Sequence, residues 1–112
     1  MTCDEVRCIL KVMMHNIAEA RDKIHKANEW KERNRGMADW HRQMAAAHLD
    51  FNSGAAQMAR DGLREMSSAH GHDHDEHEYH HIRGRCEAYE EWLEHIAPET
   101  AEVRAMIDAY GK

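Results

Sequence analysis

The sequence predicts an all-α protein, an antiparallel up-down-up bundle of three long helices with the third kinked or broken at Pro98. Three observations predict it. Apolar residues recur at steps of three and four along most of the chain, the period of a helix with about 3.6 residues per turn. Only one proline and six glycines interrupt 112 residues, and Ala, Glu, Lys, Arg and Met are abundant; these side chains lose little freedom in a helix. Aromatic and β-branched residues are scarce, which argues against a sheet.

The first helix is expected from about Asp4 to Arg33, where Val6, Ile9, Leu10, Met13, Ile17, Ala20, Ile24 and Ala27 trace one stripe. Thr2 or Asp4 can cap its start, because a short oxygen side chain accepts from the free N–H groups there. Asn34-Arg35-Gly36 is expected to end it, with Gly36 in the left-handed position that closes helices. Lys31, Arg33 and Arg35 sit in or just beyond the last turn, where positive charge is favoured. So short a connection makes the next helix pack antiparallel to the first.

The stretch from Met37 to Met66 is expected to be the central helix. Met37, Trp40, Met44, Ala47, Phe51, Ala55, Met58 and Gly62 fall on one narrow stripe, with Asp39, Asp50 and Asp61 opposite. Such a stripe needs cover, so both neighbours are expected to keep it dry. Asn52-Ser53-Gly54 is a soft spot within this helix, since glycine costs about 1 kcal/mol in a helix interior.

A polar, His-rich loop at 69–77 follows. The third helix should begin near Glu76 to Glu78, with acidic residues placed well for its start. Tyr79, Ile82, Cys86, Tyr89, Leu93 and Ile96 form its stripe, and Val103, Met106, Ile107 and Tyr110 continue it beyond Pro98. Proline lacks an N–H and clashes with the preceding turn, so a kink or break is expected there; four helices is the runner-up. Up-down-up topology would set the basic first turn (Lys26, Lys31, Arg33, Arg35, Arg42) beside the acidic part of the third helix (Glu90, Glu91, Glu94, Glu99, Glu102).

Length allows one domain, 1–112, with a single core. The charge is uneven. Residues 1–50 hold nine Lys/Arg against eight Asp/Glu, and residues 51–112 hold six against thirteen, for a net −6. Phosphate backbones repel such a chain, so nucleic acid is not the expected partner. No run approaches the ~20 apolar residues that cross a bilayer, and no basic start leads into an apolar leader. Membrane association is therefore not expected. Three cysteines (Cys3, Cys8, Cys86) form no dense framework, which fits reduced thiols in a cytoplasm.

The most conspicuous chemistry is histidine. His70, His72, His74, His77, His80 and His81 lie within twelve residues, interleaved with Asp73, Asp75, Glu76 and Glu78. Imidazole is the commonest protein ligand for Zn, Ni and Cu. Thiolates of Cys3 and Cys8 at the same end of the bundle could complete a Zn site, although no Cys-x-x-Cys pair is present. The plainer reading is a solvated, pH-sensitive connector. A di-metal carboxylate centre needs Glu-x-x-His pairs projecting inward from two helices. Asp22 with His25, and Glu78 with His81, have the spacing, but Asp22 lies opposite its helix's apolar stripe.

His41 and His48 border the central stripe, with Asn52 four further on. No inward carboxylate on the same helix orients either ring for base catalysis, so hydrogen bonding to a neighbouring helix is the expected role. Cys86 reads as a small buried hydrophobe, and most of the eight methionines as core filler.

No converging catalytic set is visible, and the chain reads as leaning away from enzymes. The expected function is that of a small acidic, non-enzymatic helical bundle acting through protein–protein contacts, by self-association as a homo-oligomer or by binding or inhibiting a partner protein. Trp30, Leu49, Leu63 and Trp92 lie off the main stripes and are the expected partner-binding residues. The alternative is binding or sensing of Zn, Ni or Cu through residues 70–81.

Overall fold

Thr2 opens the first helix. Its hydroxyl accepts from the Glu5 amide at 3.2 Å, while Glu5 reaches back to the Thr2 amide, a reciprocal cap that satisfies two free donors. From there α1 (Cys3–Trp30), α2 (Arg35–Ala69) and α3 (Glu76–Ala109) follow in chain order. The computed structural model describes residues 2–69 and 76–110, with the side chains of 68–80 outside that description. Among the described residues there is no strand, and the chain is an all-α three-helix bundle about 63 Å long.

The turn between α1 and α2 differs from expectation. The first helix stops at Trp30, whose carbonyl accepts from the Arg33 and Asn34 amides. Asn34 then caps α2, its side-chain oxygen accepting from the Met37 amide at 3.1 Å. Gly36 therefore lies inside the first turn of α2 and closes nothing. An Asn whose short side chain can cap the following helix outcompetes a glycine two residues later.

Cross-helix contacts set the directions. Cys3 meets Met66 while Met13 and Asn16 meet Asn52, so numbers rise along α2 as they fall along α1. Arg42 lies over Tyr110 and Asp50 pairs with Arg104, the same opposed order between α2 and α3. In α1 and α3 they climb together: Met14 with Trp92, Arg21 with Glu102, Lys31 with Tyr110. None of the expected basic-to-acidic pairs is among these contacts: Glu102 takes Arg21, from outside the expected basic set, while Lys31 and Arg42 lie over Tyr110.

The core follows the sequence pattern closely in α1 and α3. Val6, Leu10, Met13, Ile17, Ala20, Ile24 and Ala27 are buried from α1, and Cys86, Leu93, Ile96, Val103 and Ile107 from α3. Fully burying a leucine or isoleucine such as Leu10 or Ile24 stabilises the fold by about 1.5–3 kcal/mol. The third helix continues through Pro98 without interruption. Pro98 and Glu94 are both exposed, so the Glu94 carbonyl that the proline cannot partner is left to water and not to the core. The broken-helix alternative falls with that.

In α2 the expected seam is in the wrong place. Ala38, Ala45, Leu49, Asn52, Ala55, Ala59, Leu63 and Met66 are buried, whereas Met37 is 38% exposed, Trp40 48%, Phe51 51% and Met58 53%. Ala47 is exposed as well; of the expected stripe only Ala55 and Gly62 are buried, with Met44 between. The buried face is rotated by roughly a quarter turn from the stripe of large side chains. Small residues explain it. Alanines let α1 and α2 approach closely, and these two share the most extensive interface of the bundle. Leu49 and Leu63, expected on a partner surface, lie on this same face and are core residues.

Candidate functional site

The exposed stripe on α2 is the most distinctive surface of the molecule. Met37, Met44, Phe51 and Met58 are spaced by seven, and Trp40, Ala47 and Gly54 fall three residues after the first three of them. That is the a/d pattern of a helix that packs along another helix. Its position follows from the occupied flanks. His48 and Met66 touch α1, while Arg42 and Asp50 touch α3. At about 100° per residue the stripe lies just beyond the α1 contact, turned away from α3. Val12 of α1, 44% exposed, extends it; it sits one turn before Asn16 on the flank that faces α2.

Gly54 lies on this stripe with open space beside it: a methyl group built there would meet nothing within 4 Å. Packing inside the protomer therefore does not call for a glycine in mid-helix, where it costs about 1 kcal/mol relative to alanine.

Behind the stripe runs a polar spine. Asn52 donates from Nδ2 to the Met13 carbonyl at 3.0 Å, Asn16 donates to Asn52 Oδ1 at 3.4 Å, and His48 Nδ1 lies 3.2 Å from Asn16 Oδ1. This is the expected interhelical role for His48. His41 is different: it is buried, its Nδ1 without a hydrogen-bond partner among the described residues and its ring edge-on to Trp40 at 5.0 Å between centroids. No carboxylate takes part in the spine, so it has neither nucleophile nor charged orienter and its chemistry is that of register.

The expected partner residues are scattered. Leu49 and Leu63 are in the core. Trp92 packs against the core, its indole N–H directed at the Met14 sulfur of α1. Trp30 is half-buried at the end of α1. Met37, Trp40, Phe51 and Met58, expected in the seam, are the exposed residues instead.

The metal expectation lies largely outside the described residues. His70, His72 and His74 fall there, as do the side chains of His77 and His80; His81 is exposed. Among the described residues no group of three or more His, Cys, Asp or Glu is placed to hold an ion. Cys3 and Cys8 do not converge: Cys8 is exposed, while Cys3 turns inward and its thiol points at the Met66 sulfur, 3.5 Å away. Asp22 is on the surface, where Lys26 hydrogen-bonds its carboxylate at 3.0 Å and holds it below the usual carboxylate range; it is no inward metal ligand. Two crevices open between α2 and α3, and none of their described lining residues is a histidine.

No helix among the described residues is long and apolar enough to cross a membrane. A comparison with family models, curated proteins and solved structures returns no match to this chain.

Proposed function

We propose that the chain is a non-enzymatic interaction protein whose partner is a second copy of itself, docked along the exposed face of α2. The observation that carries this reading is the row of large apolar side chains, Met37, Trp40, Phe51 and Met58, left open to solvent on a helix that turns Ala38, Ala45, Ala55 and Ala59 to the core. An antiparallel second α2 sets Met44 over Gly54 of the other copy and Phe51 over Ala47, bulky against small. Met58 then meets Trp40, a favourable sulfur–aromatic contact. The glycine that the protomer does not need becomes the socket for a methionine.

Area supports the same occupant. Half-exposed side chains of this size leave on the order of 400 Å² of apolar surface in total, judged from the 150–250 Å² that one buried aromatic covers. Two copies contribute about 800 Å², which at the usual apolar share corresponds to roughly 1,300 Å² of interface, within the range of specific complexes. A pair built this way brings α1 and α2 of both copies into one four-helix layer, with each α3 outside it.

Sedimentation across a dilution series tests the reading. Wild type should sediment as a dimer that dissociates on dilution, and Phe51→Glu should be a monomer with unchanged helical circular dichroism. A wild-type monomer at every concentration would overturn it.

A further inference from the structure

Three helices bring sulfur to one end of the bundle. Cys3 is at the start of α1, Met66 near the end of α2 and Cys86 three turns into α3. The Cys3 and Met66 sulfurs are 3.5 Å apart. Met66 and Cys86 line the same cavity of about 340 Å³, together with Ser67 and Arg83. Cys3 packs against the buried cluster that contains both. Register agrees: α1 and α3 climb together with an offset that sets Cys3 within about a turn of Cys86.

The geometry points to a soft-metal site for Cu(I), with the thiolates of Cys3 and Cys86 and the thioether of Met66 as its ligands. The donor set selects the ion. Thiolate and thioether favour Cu(I), whereas a closed structural Zn site wants four ligands of Cys, His or carboxylate type. Among the described residues no such set exists. Monovalent copper accepts two or three sulfurs, and a thioether that carries no charge is useful to few other biological ions. Binding exchanges one Cu(I) for the two thiol protons, which leave to solvent; the site then carries a net charge of −1. Arg83 lines the same cavity, paired with Glu87 at 3.3 Å, and Glu90 lines it as well. Both thiols lose their protons on binding, so uptake should strengthen as pH rises. None of the three sulfur residues belongs to the exposed stripe of α2.

Anaerobic titration of the reduced full chain against the Cu(I)–bicinchoninate complex tests it. The protein should withdraw one equivalent of Cu(I), more tightly at higher pH. Cys86→Ala should weaken uptake by at least the roughly 10–100-fold that loss of a mere outer-shell partner costs, and Met66→Leu should weaken it less. Cys8→Ala should leave it unchanged, as should replacing His70, His72, His74, His77, His80 and His81 together by Asn. Circular dichroism of Cys86→Ala keeps loss of the site apart from loss of the fold. The proposal is overturned by no competition with the chelator, or by uptake that survives Cys86→Ala and disappears in the histidine variant.

Discussion

Asn52 of α2 donates its side-chain amide to the backbone carbonyl of Met13 in α1 across 3.0 Å, in a core that is mostly apolar. Its carbonyl oxygen accepts from Asn16 of α1. A pair of amides buried in an apolar seam fixes which turn of one helix faces which turn of the other, because any slip leaves polar groups without partners. Asn52→Ala should therefore cost about 1–3 kcal/mol in urea denaturation. The double variant Asn16→Leu/Asn52→Leu should cost much less, since removing both partners leaves nothing unpaired.

His41 makes the opposite case. Its ring is buried and Nδ1 has no partner among the described residues, a deficit worth about 1–3 kcal/mol when a donor or acceptor is left unmade. His41→Phe keeps the edge-on contact with Trp40 and removes the orphaned nitrogen. Thermal unfolding should show the variant at least as stable as wild type; a clear loss would mean that the imidazole has a role in the core.

These two residues also show what could be read from the sequence. In α1 every large apolar residue of the stripe points at the core, so periodicity located the buried face correctly. In α3 the same held across Pro98, because the proline falls on the exposed side and the helix can tolerate its missing bond. In α2 apolar residues cover about half the circumference, more than two neighbours can bury. Weighting by size picked the half with Trp40, Phe51 and Met58 and so missed the half with Ala38, Ala45 and Ala59. Size measures how much a face wants cover; smallness measures how closely a neighbour can approach. The telling signal was His41 and Asn52, polar groups aligned with the alanines at interhelical spacing. Leu49 and Leu63, expected on a partner surface, belong to the seam that was overlooked.

Gly54 separates the needs of the protomer from those of the pair. Its flank is open, so Gly54→Leu fits the lone protomer and should raise its helix stability by up to about 1 kcal/mol through propensity. The same substitution fills the socket proposed for Met44 of the second copy and should weaken dimerisation in sedimentation. A variant more stable as a monomer and unimpaired as a dimer would place the partner elsewhere.

The thiols should react in order of exposure. Cys8 is exposed and should be alkylated first by iodoacetamide, and Cys86, buried and pushed above its ordinary value of 9.0, last. A raised thiol pKa in the folded chain contributes stability that is fully present below the unfolded value and is lost as pH rises through the folded one. Stability should therefore fall in the alkaline range above about pH 9, and Cys86→Ala should flatten that fall.

The central claim, that α2 pairs with α2 of a second copy, is tested most directly by the distance between spin labels at Gln57, carried on a non-canonical residue so that native thiols stay unmodified. The antiparallel pair has its two-fold axis near Leu49, which separates the two labels by about 25 Å at 1.5 Å per residue. Double electron–electron resonance should return that distance for wild type and no coupling for Phe51→Glu. A separation of about 10 Å, as parallel helices in contact would give, or no dipolar coupling in wild type, would contradict the account.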